Sequence, residues 1–109
     1  MESKWPKNVL VVMTNCTDPA RDEEFNDWYS HTHLPDLAAA HGLVNAARYR
    51  NKRPKEGSAK YLAVYELDTE DTHAVVKEIM AGDEERTRQG RMIDCIKLFF
   101  GGTFERIDP

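Results

Sequence analysis

The stretch KYLAVYELD, residues 60–68, alternates along its length in the way that an extended chain does. Successive side chains of a strand leave opposite faces of the sheet, so one face of this stretch carries Tyr61, Ala63, Tyr65 and Leu67. The other face carries Leu62, Val64 and Glu66. Because both faces are largely apolar, we predict a strand that is covered on both sides.

Three further stretches predict strands on either side of this one. Residues 9–15, VLVVMTN, form a short apolar run that is typical of a buried strand. Residues 43–51, LVNAARYRN, form a strand of mixed polarity, and the loop KRPKEGSAK (52–60) connects it to the next strand. Residues 94–107, DCIKLFFGGTFERI, form the last strand, in which the paired glycines indicate a bulge or a bend.

A first helix is predicted from Pro19 to about His31, because Asp18 suits the N-cap and proline suits the first helical position. One face of this helix carries residues at the i, i+3, i+4 and i+7 spacing, which are Phe25, Trp28, Tyr29 and Thr32. Pro35 disfavours helical geometry at the residue before it. The helix is therefore expected to end near His33, and a short second helix to begin at Pro35.

A last helix is predicted within TEDTHAVVKEIMAG (69–82), whose apolar stripe ends at a glycine. The polar segment DEERTRQGRM (83–92) has no clear period and is expected to be a loop or a frayed helix. The elements follow the order β-α-β-β-α-β, which is that of the ferredoxin-like, split βαβ arrangement. We predict one α+β domain over residues 1–109. Helices cover one face of its four-stranded antiparallel sheet, and a second copy of the chain covers the other, giving a homodimer.

Composition and charge limit the partners that the chain can have. The net charge of −4 argues against nucleic acid or an anionic membrane as a partner, since both attract basic surfaces. No apolar run approaches the ~18 residues of a membrane span, and the N-terminal residues lack the apolar region of a signal peptide. Cys16 and Cys95 have no CxxC spacing, so neither a disulfide framework nor a zinc motif is indicated. We expect a cytoplasmic protein whose two thiols come close together at the ends of the first and last strands.

Three groups of residues carry a resemblance to a known family. The first group lies at the first helix and comprises Trp28, Tyr29, His33 and Pro35. The second lies at the second strand and comprises Gly42, Arg48 and Tyr49. The third lies in the next strand and comprises Tyr61, Leu62, Tyr65 and Glu66. Together these groups resemble the EthD-like branch of the dimeric α/β-barrel superfamily, over roughly residues 8–82.

The resemblance implies a ferredoxin-like homodimer whose sheets form a barrel, with a pocket between sheet and helices in each subunit. Members of this superfamily and their relatives include cofactor-independent cyclases, dehydratases, isomerases and monooxygenases that act on aromatic, polyketide or lactone-like compounds. We therefore hypothesise a lyase, isomerase or cyclase that acts on a small hydrophobic molecule without a cofactor. The alternatives are a non-catalytic binding or accessory protein and a cofactor-free monooxygenase of the same fold.

His33 is the candidate acid/base, because an imidazole titrates near neutral pH and the resemblance selects the same residue. The alternative is a structural histidine at a helix C-terminus, where the dipole favours a cation. Tyr29 and Tyr49 are the candidate catalytic phenols, which would orient a carbonyl or donate a proton. Trp28 and Tyr65 are candidate substrate-binding residues, with Trp28 forming a wall of the pocket and Tyr65 positioning an oxygen of the substrate.

The remaining candidates carry charge. Glu66 lies in an apolar strand and would need a partner if it were buried, and Arg48 on the neighbouring strand is the natural one. Both are candidate substrate-binding residues, and a bolder alternative makes Glu66 a general base. His31 is expected to face solvent and to pair with Asp27, four residues earlier. No metal site is expected, because the two histidines of the first helix lie roughly 200° apart around a helix axis.

Overall fold

The computed structural model describes residues 4–108. Its strands are β1 (Asn8–Cys16), β2 (Leu43–Arg50), β3 (Tyr61–Leu67) and β4 (Ile96–Glu105). Its helices are α1 (Asp22–Trp28), α2 (Leu34–Leu37), α3 (Thr72–Ala81) and α4 (Asp83–Arg88), with a 3₁₀ turn at Pro19–Arg21 and a π-helical turn at Tyr29–His33.

The strands form one antiparallel sheet in the order β2-β3-β1-β4. This order confirms the predicted α+β, ferredoxin-like arrangement, in which the first and third strands are central. The helices cover one face of the sheet, since Phe25 of α1, Leu37 of α2 and Val75 of α3 share one core cluster with the strand residues Leu10 and Tyr65. We call this covered side the inner face.

The alternation predicted for residues 60–68 separates the two faces of β3. The inner residues Tyr61, Ala63, Tyr65 and Leu67 are all buried, whereas Leu62, Val64 and Glu66 are only partly buried. Opposite these outer residues, the register places apolar side chains of β1, with Val11 beside Val64 and Met13 beside Leu62. Large apolar residues are exposed on the same outer face, namely Met13, Tyr49, Phe100 and Phe104.

The predicted boundary near His33 coincides with the end of the π-helical turn and the start of α2, but the expected break in helical geometry before Pro35 is absent. Leu34 is helical, with φ −58° and ψ −49°, and the chain continues through Pro35 into α2. The backbone N–H of Leu34 bonds to the carbonyl oxygen of Tyr29, five residues back, so the turn before the proline is wider than an α-helical turn. A proline ring clashes with the carbonyl of residue i−4 in a regular α-helix, and the wider turn changes which carbonyl lies opposite the ring.

Other local predictions hold. The side chain of Asp18 accepts a hydrogen bond from the backbone N–H of Ala20 and so begins the first helical segment. The segment expected to be a loop or a frayed helix contains the short α4. The Sγ atoms of Cys16 and Cys95 lie 3.3 Å apart as free thiols, and burial raises the pKa of Cys95 to about 11.

Candidate functional site

A cavity of about 570 Å³ lies between the inner face of β1 and β4 on one side and the helices on the other. Its floor is formed by strand residues, which are Leu10, Val12, Thr14, Ile96, Leu98, Gly101, Gly102 and Thr103. Its opposite wall is formed by Tyr29, His33, Leu37, Thr72, His73, Val76, Ile79, Met80, Asp83 and Met92. Apolar side chains dominate both sets, so the cavity suits an apolar small molecule with a few polar groups.

The π-helical turn places two candidate residues in the wall of this cavity. Tyr29 and His33 are the first and last residues of the turn, both are buried, and their rings meet edge to face with centroids 5.0 Å apart. A π-helical turn within an α-helix is rare and frequently occurs at functional sites. Because residues four apart lie on the same side of a helix, the phenol of Tyr29 and the imidazole of His33 share one side of the first helix.

His33 is held in the neutral form by its surroundings. Burial is the main reason that its pKa falls from 6.5 to about 4, and the positive charge of Arg86 lowers it further. Asp83 and Asp36 oppose this effect without reversing it. Nδ1 of His33 is buried and has no hydrogen-bond partner among residues 4–108. A buried polar atom without a partner is costly, and this nitrogen is closed off from the open space of the cavity.

Trp28 supports the imidazole instead of lining the cavity. Its ring stacks on that of His33 with centroids 4.6 Å apart and an interplanar angle of 21°. Its Nε1–H donates a hydrogen bond of 2.8 Å to the carbonyl oxygen of Arg91. The Arg91 guanidinium in turn forms two hydrogen bonds with the carboxylate of Asp36, at 2.7 and 2.8 Å. The segment after α4 is thus fixed to the first helix beside the histidine, and it contributes Met92 to the cavity wall.

The hydroxyl groups of Tyr29 and Tyr65 lie 3.2 Å apart in the core. Burial raises the pKa of both phenols, so both are protonated at neutral pH. Tyr65 is completely buried and does not line the cavity, whereas Tyr29 does. Tyr65 therefore acts on the cavity only through the hydroxyl of its neighbour.

The expected ion pair between Arg48 and Glu66 is absent, and that prediction is wrong. Arg48 lies opposite Ala63 on the inner face, whereas Glu66 lies on the outer face. The Arg48 guanidinium donates to Ser30 Oγ at 3.0 Å and to the backbone and side-chain oxygens of Asn26 at 3.3 and 2.8 Å. It also lies 4.4 Å from the centroid of the Tyr29 ring. Arg48 thus joins β2 to the first helix behind the cavity.

Two of the predicted site residues lie away from the cavity. Tyr49 is opposite Leu62 on the outer face and is 57% exposed, so the sheet separates its phenol from His33. Glu66 lines a separate polar groove of about 460 Å³ beside the N-terminal residues of the described chain. Neither residue reaches the imidazole within one subunit, which corrects the expectation that both serve the same pocket. His31 is exposed and pairs with Asp27 at 3.0 Å, as expected.

The prediction from sequence missed several residues of the cavity. His73 and Asp83 both line it, and the floor formed by β1 and β4 includes Thr14 and Gly101. His73 shares the i, i+3, i+7 spacing with the apolar residues 76 and 80 of α3, and this spacing was the signal that could have placed it.

Among the described residues, no group of three or more His, Cys, Asp or Glu side chains is arranged to hold a metal ion. Within residues 4–108, no helix is long and apolar enough to span a membrane.

No protein-family model and no curated protein matches the chain. Solved structures do match it. SnoaB from Streptomyces nogalater, described as a cofactor-independent oxygenase, has a TM-score of 0.64 and 14% identity, over 96% of this chain and 97% of that one. An ethyl tert-butyl ether D (EthD) family protein from Bacillus halodurans has a TM-score of 0.54 and 16% identity, over 94% of this chain and 100% of that one.

A third match is described as a dimeric ferredoxin-like protein of unknown function from Thermobifida fusca. It has a TM-score of 0.54 and 17% identity, over 97% of this chain and 96% of that one. At these identities the likeness establishes the fold and leaves the activity open. The chain therefore has a ferredoxin-like fold, as the resemblance implied.

Proposed function

We propose that the chain is a cofactor-independent enzyme that binds an apolar small molecule in the cavity and uses His33 as its acid/base group. One observation carries this proposal: a buried imidazole that is neutral at pH 7 lines an apolar cavity of about 570 Å³. Neutral imidazole can accept a proton, and the burial of His33 among apolar groups strengthens its polar interactions. Proton removal next to a carbonyl is the step that lyase, isomerase and cyclase reactions of such compounds share.

Tyr29 is the proposed partner of His33 in this step. Its protonated hydroxyl group can accept a hydrogen bond from Tyr65 and direct its own proton into the cavity. A carbonyl oxygen that accepts this proton gains stabilisation as it becomes an enolate. The same contact would hold the adjacent C–H bond near the imidazole, so the two residues have separate roles.

Replacement of His33 by glutamine is expected to abolish proton transfer without removing the cavity. The probe is 2-tetralone, a two-ring ketone with acidic hydrogens, and the measurement is deuterium incorporation in D₂O by NMR. General-base catalysis contributes roughly 100-fold or more, so we expect His33→Gln to fall to the buffer rate. His31→Gln, which changes an exposed histidine two residues away, is expected to keep the wild-type rate. Equal rates for wild type and His33→Gln would disprove the catalytic role.

A cofactor-free oxygenase is the second candidate, and the match of the fold to SnoaB supports it. Such an activity would consume oxygen with an electron-rich phenol and no added metal. An oxygen electrode with 1-naphthol as the substrate separates the two candidates. Binding of both probes without exchange or oxygen uptake would instead support the third alternative, a non-catalytic binding protein.

We also propose that the functional unit is a homodimer packed through the outer faces of two sheets. The exposed aromatic and apolar side chains of this face form a patch of the kind that monomeric proteins rarely leave in water. The match to a protein described as dimeric supports a dimer. Substrate would remain on the inner side, so each subunit would hold its own cavity.

A charge at the centre of the outer face is expected to separate the subunits. Val64 lies on the central strand β3 opposite Val11, so Val64→Asp would bury a carboxylate among apolar side chains. Light scattering after size-exclusion chromatography should change from twice the chain mass to the chain mass. Ala39→Asp, at an exposed position near α2, should leave the dimer intact. A wild-type protein that elutes as a monomer at micromolar concentration would contradict the proposed interface.

A further inference from the structure

Gly101 lies within β4 at an inward-facing position that lines the cavity. Its partner on the neighbouring strand β1 is Val12. A glycine inside a strand is destabilising relative to alanine, because it loses more chain entropy on folding and packs no side chain. Strand glycines usually have a structural reason, such as a positive φ, a bulge or the close approach of another group.

None of these reasons applies at Gly101. The glycines with positive φ are Gly42, Gly57 and Gly90. The register of β4 is irregular between Leu98 and Phe100, which pair with Thr14 and Met13 of β1. Gly101 lies outside this irregularity and pairs with Val12. A Cβ atom added to Gly101 would meet no atom within 4 Å.

The next residue gives the opposite result and serves as an internal comparison. A Cβ atom on Gly102 would come within 3.0 Å of the Phe100 ring, so packing on the outer face accounts for that glycine. Gly101 lies in a strand without a positive φ and has free space in front of it. The space in front of it belongs to the cavity floor, between the inward side chains of Leu98 and Thr103.

We infer that Gly101 is a specificity-determining residue, which leaves bare backbone in the cavity floor so that a ligand wider than a single ring can lie flat against the sheet. This inference rests on the proposed function, since it names the shape of the ligand that the cavity accepts. A side chain at this position would shorten the cavity without touching Tyr29 or His33 on the opposite wall. Ligand width, and not the proton-transfer chemistry, is what position 101 controls.

Gly101→Leu is expected to discriminate ligands by size. The probes are phenol, 2-naphthol and 2-hydroxyanthracene, and the measurement is equilibrium dialysis. A group that no longer fits an apolar pocket commonly costs tenfold or more. We therefore expect at least tenfold weaker binding of the three-ring probe, and phenol binding within twofold of the wild type. Glu105→Leu, on the same strand and the same face but outside the cavity wall, should change neither.

Two further variants test whether the lost volume is the cause. Gly101→Ala adds only a methyl group in open space and should weaken the three-ring probe by about threefold, by the same steric reasoning. The double variant Leu98→Gly with Gly101→Leu moves the open space to the neighbouring inward position. It should recover the three-ring affinity to within about threefold, because the total volume is restored. Circular dichroism checks that each variant is folded.

The outcomes separate this inference from the proposed function. If wild type binds all three probes and Gly101→Leu binds them equally well, the role of Gly101 is disproved while the binding function stands. If the double variant is folded but does not recover, the loss in Gly101→Leu is not one of volume and the inference is overturned. If the wild type binds none of the probes, both the proposed function and this inference fall.

Discussion

Acidification from pH 7 to pH 4 is expected to lower the unfolding free energy of the wild type by about 3 kcal/mol more than that of a His33→Gln variant. The pKa of His33 is about 4 in the folded protein and 6.5 for an unperturbed histidine. Between these values the unfolded chain binds the proton and the folded chain does not. Stability from this residue is therefore complete above pH 6.5 and is lost as the pH falls through 4, at about 1.4 kcal/mol per pKa unit.

The physical cause is the environment that also makes His33 a candidate base. Its imidazole is buried, and Trp28 and Tyr29 present apolar ring surfaces to it. The charged groups around it are Arg86, which disfavours protonation, and the carboxylates of Asp83 and Asp36, which favour it. Both carboxylates are already engaged, the first with Arg86 and the second with Arg91, so neither is free to compensate a new positive charge.

Chemical denaturation between pH 7 and pH 4 measures this effect. The unfolding free energies of wild type, His33→Gln and His31→Gln are compared at one protein concentration, because a dimer couples stability to concentration. The difference between wild type and His33→Gln should shrink by about 3 kcal/mol on acidification. His31→Gln, at the exposed histidine, should follow the wild type. Parallel curves for wild type and His33→Gln would show that His33 is accessible to protons in the folded state.

The sequence was sufficient to predict the fold because the strand alternation in residues 60–68 already separates two faces. It was also sufficient to group Phe25, Trp28 and Tyr29 on one side of a helix, where the structure shows them in mutual ring contact. The helical conformation of Leu34 was not predictable from the rule for residues that precede proline. That rule describes local geometry, and the π-helical turn before Pro35 changes the backbone bonding on which the rule depends.

The site was harder to predict than the fold because side-chain direction in a strand depends on a single residue of register. Arg48 and Tyr49 are adjacent in β2, so they point to opposite faces and cannot both serve one cavity. The mixed polarity of that strand did not show which of the two is inward. In the structure Arg48 is inward, and its contacts with the first helix exclude the pair with Glu66.

Arg48→Met is expected to destabilise the protein by about 3 kcal/mol, because a charged group that joins two elements is lost. Hydrogen bonds to a charged donor contribute about 1.5–3 kcal/mol, and a guanidinium over an aromatic ring adds about 0.5–2 kcal/mol. Arg48 makes both kinds of contact, with Ser30 and Asn26 as acceptors and the ring of Tyr29 beneath it. Methionine keeps much of the side-chain length and the apolar contact but has no donor.

Two matched variants assign this loss to the guanidinium. Arg48→Lys keeps the charge but not the planar fork, so it should recover about half of the lost stability at most. Arg50→Met removes the same group from an exposed position two residues further along β2, and it should stay within about 0.5 kcal/mol of the wild type. Urea unfolding at pH 7 gives all three values. Arg48→Met and Arg50→Met could instead lose the same unfolding free energy. The contacts of Arg48 with the first helix would then not stabilise the fold, and Tyr29 would be positioned by its core packing alone.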